Sequence, residues 1–392
     1  MLVIKLALRN IIGAGLRTWL NVIVLSLAFV LIIWTQGFIQ GMQEYSKRAL
    51  IEAEVGGGQF WRPDYDQYDP LTLEDSHAPL SPALKDLVES GNAMPVLITM
   101  ATIYPEGRAM PALLKGIDPA QKTVNIPAGG LAKENDGEIP GLIGTRMAKT
   151  TGLREGDFVT VRWRDTAGTF DAADIRIVKV VATDMPTIDQ GQIWIPLENL
   201  RTMMNAAGEA TIVVIDQEAA VIPNAGDSWI FRDQEYMLRE IVEMIKSKMV
   251  GTMFMYALLM FMALIAIFDT QVLSIWRRRK EMGTMMALGM MRSKIVALFT
   301  LEGALHGFLA VVVGAIYGLP LFLLSKKHGF PMPEIVDEWG FAIPQKLFPS
   351  YGAVLLLGTA LLVLVSVTLV SYMPSAKISR LKPTDALRGK MT

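Results

Sequence analysis

This 392-residue sequence lacks most of the features that identify an enzyme. It contains no cysteine, which excludes disulfide bonds and thiolate metal sites. Its three histidines, His77, His306 and His328, do not have the spacing of metal ligands. No G-x-x-x-x-G-K-[ST] phosphate loop, H-E-x-x-H motif or G-x-S-x-G motif occurs. We therefore predict no catalytic residue, no metal site and no cofactor held by this chain itself.

Charged residues are nearly missing from four long apolar runs, Trp19–Phe38, Met249–Trp276, Ile295–Leu324 and Tyr351–Met373. Each run has at least about 20 residues, enough for a helix to cross roughly 30 Å of hydrocarbon. The first run is long and lacks a small-residue cleavage site, so it is not typical of a removable signal peptide. The sequence therefore predicts four transmembrane helices.

Acidic and basic residues gather in different parts of the chain. Residues 41–245 hold 18 Lys and Arg against 31 Asp and Glu, whereas the rest of the chain holds 19 against 7. The basic residues of that remainder concentrate near the N-terminus, in the loop 277–294 and near the C-terminus. The positive-inside rule places these three regions in the cytoplasm. The segment 41–245 is then expected in the periplasm of a bacterial inner membrane.

These observations predict a helical membrane protein with four spans in a 1+3 arrangement. A large α+β extracytoplasmic domain is inserted between the first and second spans. The predicted segments are an amphipathic interfacial helix at 1–18, transmembrane helix 1 at 19–40, the periplasmic domain at 41–245, transmembrane helix 2 at 246–276, a cytoplasmic coupling loop or helix at 277–294, transmembrane helix 3 at 295–324, a short outer loop at 325–350, transmembrane helix 4 at 351–373 and a cytoplasmic tail at 374–392.

Strand and turn signals indicate the α+β character of the outer domain. Two hairpins are predicted, with strands at 97–103 and 109–114 and at 157–164 and 174–181. Further predicted elements are strands at 193–195 and 211–215, helical stretches at 81–90, 138–152 and 197–207, a flexible turn at 56–59, and a polar helix at 232–248 that leads into the second span.

Three segments together resemble the FtsX/MacB/LolC group of ABC-transporter permeases. They are LALRN and LRTWL within 6–20, RRRKEMGTMMALGMMRSKI at 277–295, and YMPSAKISRLKPTDALR at 372–388. They resemble the family's N-terminal amphipathic helix, its loop between the second and third spans, and its closing motif. The outer domain is most similar to the LolC/LolE branch, through the stretches 115–119, 144–157 and 229–236.

The resemblance implies the permease subunit of a type VII, mechanotransmission ABC transporter. Such a subunit works with a second permease subunit, identical or different, and with a dimer of cytoplasmic ABC ATPases that bind ATP and magnesium. In the LolC/LolE branch the cargo is a lipoprotein extracted from membrane lipid. Two alternatives stay open, namely MacB-like efflux of peptides or small toxic molecules and FtsX-like signalling to a cell-wall hydrolase. No nucleic-acid partner is implied.

A periplasmic lipoprotein carrier is a further partner that the LolC-like branch implies. LolC recruits its carrier with a long hairpin hook that contains proline. The equivalent stretch here, 163–174, is short and has no proline. We therefore predict that a carrier, if the system uses one, docks on another surface or on a partner subunit.

The resemblance also implies that the loop at 277–294 couples the membrane helices to the ATPase. Its charged residues suit salt bridges, its methionines offer an adaptable apolar surface, and its glycines permit close approach. The alternative is a solvated loop whose charges only set the topology. The candidate coupling residues are Arg279, Lys280, Glu281, Met282, Gly283, Met286, Ala287 and Gly289.

Asp269 and Glu302 are ionisable residues inside predicted spans, where a charge is costly unless it is paired or hydrated. They lie at similar predicted depth, so we expect them to share a polar site that faces the helix bundle. Helix packing is the favoured role, and a proton relay is the alternative.

A third group of candidates could line an entry for lipid or acyl chains. Methionine suits varied acyl chains because its side chain is flexible and polarizable. Ordinary packing between the spans would explain the same residues. The candidates are Trp34, Phe38, Met42, Tyr45, Met253 and Met260.

Overall fold

The computed structural model describes residues 16–67, 69–132, 137–182, 186–219, 224–332 and 346–377. The chain divides into two compact units. The first, the membrane unit, contains the chain up to Met42, Ile245–Pro331 and the chain from Lys346 onward, and the outer unit contains Gln43–Met244. Most of the predicted amphipathic helix at 1–18, and residues 378–392 of the predicted tail, lie outside the described residues.

Helices of very different length occur in the described residues. In chain order they are α1 (Leu16–Leu50), α2 (Pro82–Glu89), α3 (Thr145–Thr151), α4 (Pro186–Gly191), α5 (Leu197–Met204), α6 (Gln234–Arg277), α7 (Arg279–Ala287), α8 (Arg292–His328) and α9 (Ala353–Ala376).

Four of these helices, α1, α6, α8 and α9, are long and apolar enough to cross a membrane. The predicted arrangement of one span, a large outer domain and three further spans is confirmed. The helices also extend beyond the apolar runs, because further helical turns made of polar residues continue them. In particular, α6 begins at Gln234 and ends at Arg277, so the predicted polar helix and the second span are one element.

Glycines allow α8 to pack closely against two other helices. The segments 303–307 and 314–318 each begin and end with glycine. A Cβ atom added to Gly303 would collide with Ser371 of α9. A Cβ atom added to Gly314 would lie 2.8 Å from the ring of Phe29 of α1. Small residues four positions apart let helix backbones approach in membranes, where packing drives association.

Polar side chains add links between α1 and the other spans. Asn21 Nδ2 donates a hydrogen bond to Thr270 Oγ1 of α6 at 2.8 Å. Tyr317 Oη of α8 donates to Ser26 Oγ at 3.3 Å. Half of the most apolar part of α1 is buried, because α1 contacts its neighbours on several sides. The buried share of the corresponding part is 22% in α6 and 17% in α9.

The outer unit is built mainly from β-strands. In chain order the strands of the chain are β1 (Gln59–Trp61), β2 (Ala78–Pro79), β3 (Ala93–Ile103), β4 (Met110–Ile117), β5 (Ile139–Gly144), β6 (Phe158–Arg164), β7 (Phe170–Val181), β8 (Gln192–Pro196), β9 (Glu209–Ala210), β10 (Ile212–Ile215), β11 (Ile230–Arg232), β12 (Phe330–Pro331) and β13 (Lys346–Leu347); the last two belong to the membrane unit.

Nine of the strands form one sheet in the order β11-β1-β10-β3-β4-β8-β5-β7-β6. The long strand β3 also pairs with β6, so six strands from β3 to β6 close on themselves. The β4–β8 and β5–β7 pairs are parallel and the other pairs are antiparallel. Closure removes exposed edges from these six strands, whose inward side chains form the larger core of the unit.

Both predicted hairpins are confirmed as the antiparallel pairs β3–β4 and β6–β7. In the second, β7 begins at Phe170 rather than at 174, because a tight turn at 165–169 lets pairing start directly after it. The turn is closed by Asp165, whose Oδ1 accepts hydrogen bonds from the backbone N–H groups of Ala167 and Thr169.

The prediction of a helical stretch at 138–152 is only partly right. Its first half is the strand β5, and the helix α3 begins at Thr145. The segment Pro140–Gly144 is completely buried between β7 and β8. Two glycines and a proline also make this stretch a poor helix, so sheet pairing determines its conformation.

Candidate functional site

The predicted coupling segment folds as a short helix and a turn within the membrane unit. The helix α7 follows α6 after one residue and ends at Ala287. The chain then turns at Gly289, whose φ of +89° is strained for any residue with a Cβ, and α8 begins at Arg292. The glycine is therefore needed for the turn.

One side of α7 is buried against the neighbouring helices of the same chain. Met282 is fully buried and packs in a cluster with Ile275, Ile295 and Phe299. Gly283 is buried beside it. The expectation that Met282 and Gly283 contact an ATPase is therefore wrong, because the α6–α7–α8 packing already covers them.

The other side of α7 remains accessible. Among the predicted coupling residues, Lys280, Glu281, Ala287 and Gly289 are exposed, Met286 is half-buried, and Arg279 stacks over the ring of Trp276 at 5.6 Å. The turn also presents Leu288, which is 83% exposed, and Met291, which is 59% exposed. Sequence reasoning missed these two residues, although apolar side chains in a charged loop are a signal for a contact surface.

Arg278 ties the coupling segment to α8. Its Nη1 donates hydrogen bonds to both carboxylate oxygens of Glu302, at 2.9 and 3.1 Å, and its Nε donates to Glu281 Oε2 at 2.9 Å. The guanidinium also lies 5.0 Å from the ring centroid of Phe299. Burial alone would lower the pKa of Arg278, but the hydrogen bonds and charges of Glu281 and Glu302 raise it overall. The residue therefore stays a cation.

The predicted common site for Asp269 and Glu302 is wrong. Glu302 is only 4% exposed and pairs with Arg278, whereas the Asp269 side chain is exposed on α6. Their predicted depths are similar, but their side chains lie in different surroundings. Asp269 lies two positions from each of Ile267 and Gln271, which are buried, so the 100° step per residue turns it to the opposite side of α6.

The candidate entry residues do not form one surface. The rings of Trp34 and Phe38 both pack on Phe330, with centroid distances of 5.7 and 6.2 Å. Met42 and Met260 are buried, so helix packing explains them, and Tyr45 is half-buried in the outer unit. Met253 is 60% exposed and is the methionine of this group that can meet lipid.

A second site of interest lies in the outer unit, where the helix α1 ends. After Leu50 the helix widens into a π-helical turn at Ile51–Val55, a form often found at functional sites. Gly56 and Gly58 follow with φ values of +59° and +124°. A Cβ on Gly56 would lie 2.5 Å from a backbone oxygen of Ile215. The chain therefore turns at 56–59 as predicted, but the turn is held tightly against β10, so the expectation that it is flexible is wrong.

The same turn connects both long helices to the sheet. Glu54 of the π-turn forms an ion pair with Lys115 of β4, whose side chain is 9% exposed. Gln234, the first residue of α6, donates from Nε2 to the backbone oxygen of Gly56 at 2.6 Å. Gly57 N–H donates to Ile215 O at 2.7 Å. We call this set of contacts the Gly56 joint, and it fastens the end of α1 and the start of α6 to one place on the sheet.

Comparison with known proteins identifies the membrane part of the chain. Residues 253–383 match the family model of the FtsX-like permease C-terminal domain. The chain carries an FtsX-like permease domain. The match spans α6 from Met253, the coupling segment, α8 and α9. The predicted family is thereby confirmed, while assignment to the LolC/LolE branch stays a prediction.

Among solved structures, the chain is similar to the extracellular domain of the noncanonic ABC-type transporter YknZ from Gram-positive bacteria. The identity is 12% and the TM-score 0.25, with 42% of this chain and 84% of that chain covered. At such a score the similarity carries no argument about function. No curated protein matches the sequence.

The chain therefore carries an FtsX-like permease domain in its membrane unit, and a large domain lies between its first and second helices that are able to cross a membrane. Members of the FtsX-like permease family are generally non-enzymatic transporter components, and the family implies association with an ATPase partner. The segment that the sequence predicts to couple to an ATPase consists of α7 and the turn at Gly289, and this role stays a prediction.

Proposed function

We propose that this FtsX-like permease is the membrane subunit of a mechanotransmission ABC transporter that extracts lipoproteins from the bacterial inner membrane. A cytoplasmic ATPase dimer binds ATP and magnesium, and its closure moves α7. The movement passes through the spans to the outer unit in the periplasm. The outer unit then moves an acylated protein toward the outer membrane.

The observation that carries this proposal is the Gly56 joint. Each of the helices α1 and α6 has residues in both compact units, and both are bonded to the same turn of the outer unit. The partly buried ion pair between Glu54 and Lys115 makes that attachment specific. A long helix attached in this way is suited to transmit displacement, because its hydrogen-bonded backbone resists bending.

The ATPase is proposed to bind the outward side of the coupling segment. Leu288 and Met291 supply an apolar centre, and the exposed charges of Lys280 and Glu281 supply a polar rim. An apolar centre with a charged rim is the usual composition of a transient protein interface. Arg278 passes the displacement of α7 to α8 through Glu302.

A carrier is proposed to bind elsewhere than the β6–β7 tip. The tip is held against the end of α5, since Asn205 Nδ2 donates to Asp165 Oδ2 at 3.0 Å and Thr166 N–H donates to Met204 O at 3.2 Å. Trp163 Nε1 also donates to Met203 O at 2.9 Å. These bonds support a structural role for the hairpin, so a carrier would dock on another surface or on the second permease subunit.

Substitution of Leu288 tests the ATPase contact. Leu288→Asp places a charge at the centre of the proposed surface, and Leu288→Met, which keeps an apolar side chain of similar volume at the same position, is the matched control. A charge at the centre of such an interface is expected to lower the affinity for the ATPase about tenfold or more. We expect Leu288→Asp to abolish co-purification of the ATPase and transport, while Leu288→Met retains both. Normal co-purification with Leu288→Asp would refute the assigned surface.

Photocrosslinking tests the cargo. A photoreactive amino acid at Met253 should capture a lipoprotein, and capture should disappear when acylation of the lipoprotein is prevented. The same amino acid at Leu361, which is 63% exposed on α9, should capture phospholipid only. Capture of non-acylated peptides at Met253 would contradict lipoprotein extraction and favour efflux.

A further inference from the structure

The core of the membrane unit contains two polar side chains with an unpaired oxygen. Gln271 of α6 is only 3% exposed, and Ser371 of α9 is fully buried. Neither Gln271 Oε1 nor Ser371 Oγ has a hydrogen-bond partner in the described part of the chain. A buried polar atom without a partner costs free energy, so a pair of them within the spans requires a physical reason.

The two side chains meet on the surface of α8, at a glycine. A Cβ atom added to Gly303 would collide with Ser371 Oγ and would lie 3.1 Å from Gln271 Nε2. Gln271 and Ser371 are therefore neighbours, and the absence of a side chain at position 303 allows both of them to reach this point. We call Gln271, Gly303 and Ser371 the Gly303 junction, to which α6, α8 and α9 each contribute one residue.

Other buried hydroxyl groups of α9 are paired within their own helix. Ser375 Oγ donates a hydrogen bond to the backbone oxygen of Ser371, and Thr359 Oγ1 donates to that of Leu355, both at 2.8 Å. Bonding to the carbonyl four residues earlier is the usual arrangement for serine and threonine inside a helix. Ser371 does not use it and points at α8 instead. Its hydroxyl group is therefore placed for a contact between helices.

The surroundings of the junction allow α8 and α9 to move past each other. Gly303 and Gly307 present no side chain to α9, and a Cβ atom on Gly307 would lie 3.3 Å from Val367. Packed helices without interlocking side chains at their contact can shift along each other by small shear motions. Glu302, which accepts the hydrogen bonds of Arg278, is the residue next to Gly303. A displacement of α7 would therefore act directly beside the junction.

We propose that Gln271 and Ser371 form a hydrogen bond with each other in a second conformational state of the permease, which is reached when the ATPase binds nucleotide. The inference rests on the proposed function, since it assigns a contact in the membrane core that changes when α7 moves. A small slide of α9 along Gly303 brings the Ser371 hydroxyl group to the Gln271 amide. A hydrogen bond between helices in a membrane shifts such a two-state equilibrium about threefold toward the state that contains it.

Removal of either side-chain group tests the pairing. Gln271→Met and Ser371→Ala should not lower the Tm of the nucleotide-free permease, because neither removes a hydrogen bond present in that state. With a non-hydrolysable ATP analogue bound, each variant should populate the second state about threefold less. The double variant should lose no more than either single variant, because all three lack the same bond. Ser375→Ala, whose hydroxyl group is bonded within α9, is the matched control and should keep the parent population.

A pair of cysteines tests the movement itself, because the chain contains no cysteine of its own. In permease purified with its ATPase, the pair Gln271→Cys and Ser371→Cys should form a disulfide faster when the analogue is bound. The disulfide is detected as the loss of two thiols that react with a maleimide after denaturation. Gln271→Cys with Thr359→Cys is the control pair and should keep both thiols, because position 359 lies about 18 Å further along α9.

Three results would each overturn the inference: equal rates of disulfide formation with and without bound analogue, a lowered Tm of nucleotide-free Gln271→Met, or additive losses in the double variant. The population of the second state is read from spin labels on Ala167→Cys in the same complexes. Movement of these labels in the parent complex, together with any of the three results, would remove the Gly303 junction from the mechanism and leave the proposed function standing. Labels that stay in place with bound analogue would contradict both.

Discussion

Replacing Glu302 with glutamine should separate ATP hydrolysis from transport. The substitution preserves the shape of the side chain but removes its charge. Arg278 Nη1 now contacts both oxygens of Glu302, at 2.9 and 3.1 Å. Glutamine leaves one oxygen as an acceptor and turns an NH2 group toward the guanidinium, which has no acceptor to offer. Arg278 would keep its bond to Glu281, whose side chain is 60% exposed.

The expected loss of stability follows from burial. Removing one partner of a fully buried ion pair costs about 3–5 kcal/mol. The side chain of Glu302 is 6% exposed, but that of Arg278 is 21% exposed. Since Arg278 also retains Glu281, we expect a smaller loss of about 2 kcal/mol in the free energy of unfolding, or roughly a 30-fold change in the unfolding equilibrium.

The measurement is thermal unfolding of the detergent-solubilised permease, together with ATPase activity and transport in membranes. Glu302→Gln should lower the Tm, leave ATP hydrolysis by the bound partner, and reduce transport, because α7 would no longer be tied to α8. Asp269→Asn is the matched control. It removes an intramembrane charge without an intrachain partner, so it should not lower the Tm of the solubilised monomer. Equal destabilisation by both variants would refute the reasoning.

Three further predictions concern the outer unit and the topology. Cysteine at Ala167, exposed in the β6–β7 turn, should react with a membrane-impermeant maleimide in intact spheroplasts, whereas Ser293→Cys should react only after permeabilisation; reaction at 293 in sealed cells would reverse the orientation. Ala167→Lys should leave transport unchanged, and a large loss would restore a carrier-docking role for the tip. Lys115→Met should lower the Tm of the permease measurably, because it leaves Glu54 without its partner. An unchanged Tm would contradict a stabilising role of this ion pair in the Gly56 joint.

The parts of the fold that were predictable from sequence depend on local patterns. Apolar runs of at least about 20 residues identify spans, because a bilayer requires that length. The hairpins β3–β4 and β6–β7 were predictable because turn residues separate strands that are adjacent in sequence. The turn at 56–59 was predictable from its glycines, although not the contacts that it makes.

Contacts between distant residues were not predictable in the same way. The strand β5 was mistaken for helix because its pairing partners, β7 and β8, come later in the chain. Asp269 and Glu302 lie at similar predicted depth. Glu302 is buried and Asp269 is exposed because each side chain projects from a different side of its helix relative to the packed neighbours. Met282 is an apolar residue within a charged segment, which is what a docking residue would look like in the sequence. Its burial depends on how α7 packs against α6 and α8, and local sequence does not give that packing.

In the proposed mechanism, ATP binding in the cytoplasm moves the outer unit through the joined helices. The most direct measurement uses a spin label on Ala167→Cys, in permease purified with its ATPase, and pulsed electron paramagnetic resonance between the labels of the two permease subunits. We predict that a non-hydrolysable ATP analogue shifts the distance distribution, and that Lys115→Met in the same chain abolishes the shift while the analogue still binds. An unchanged distance distribution in the parent complex with bound analogue would contradict this mechanism.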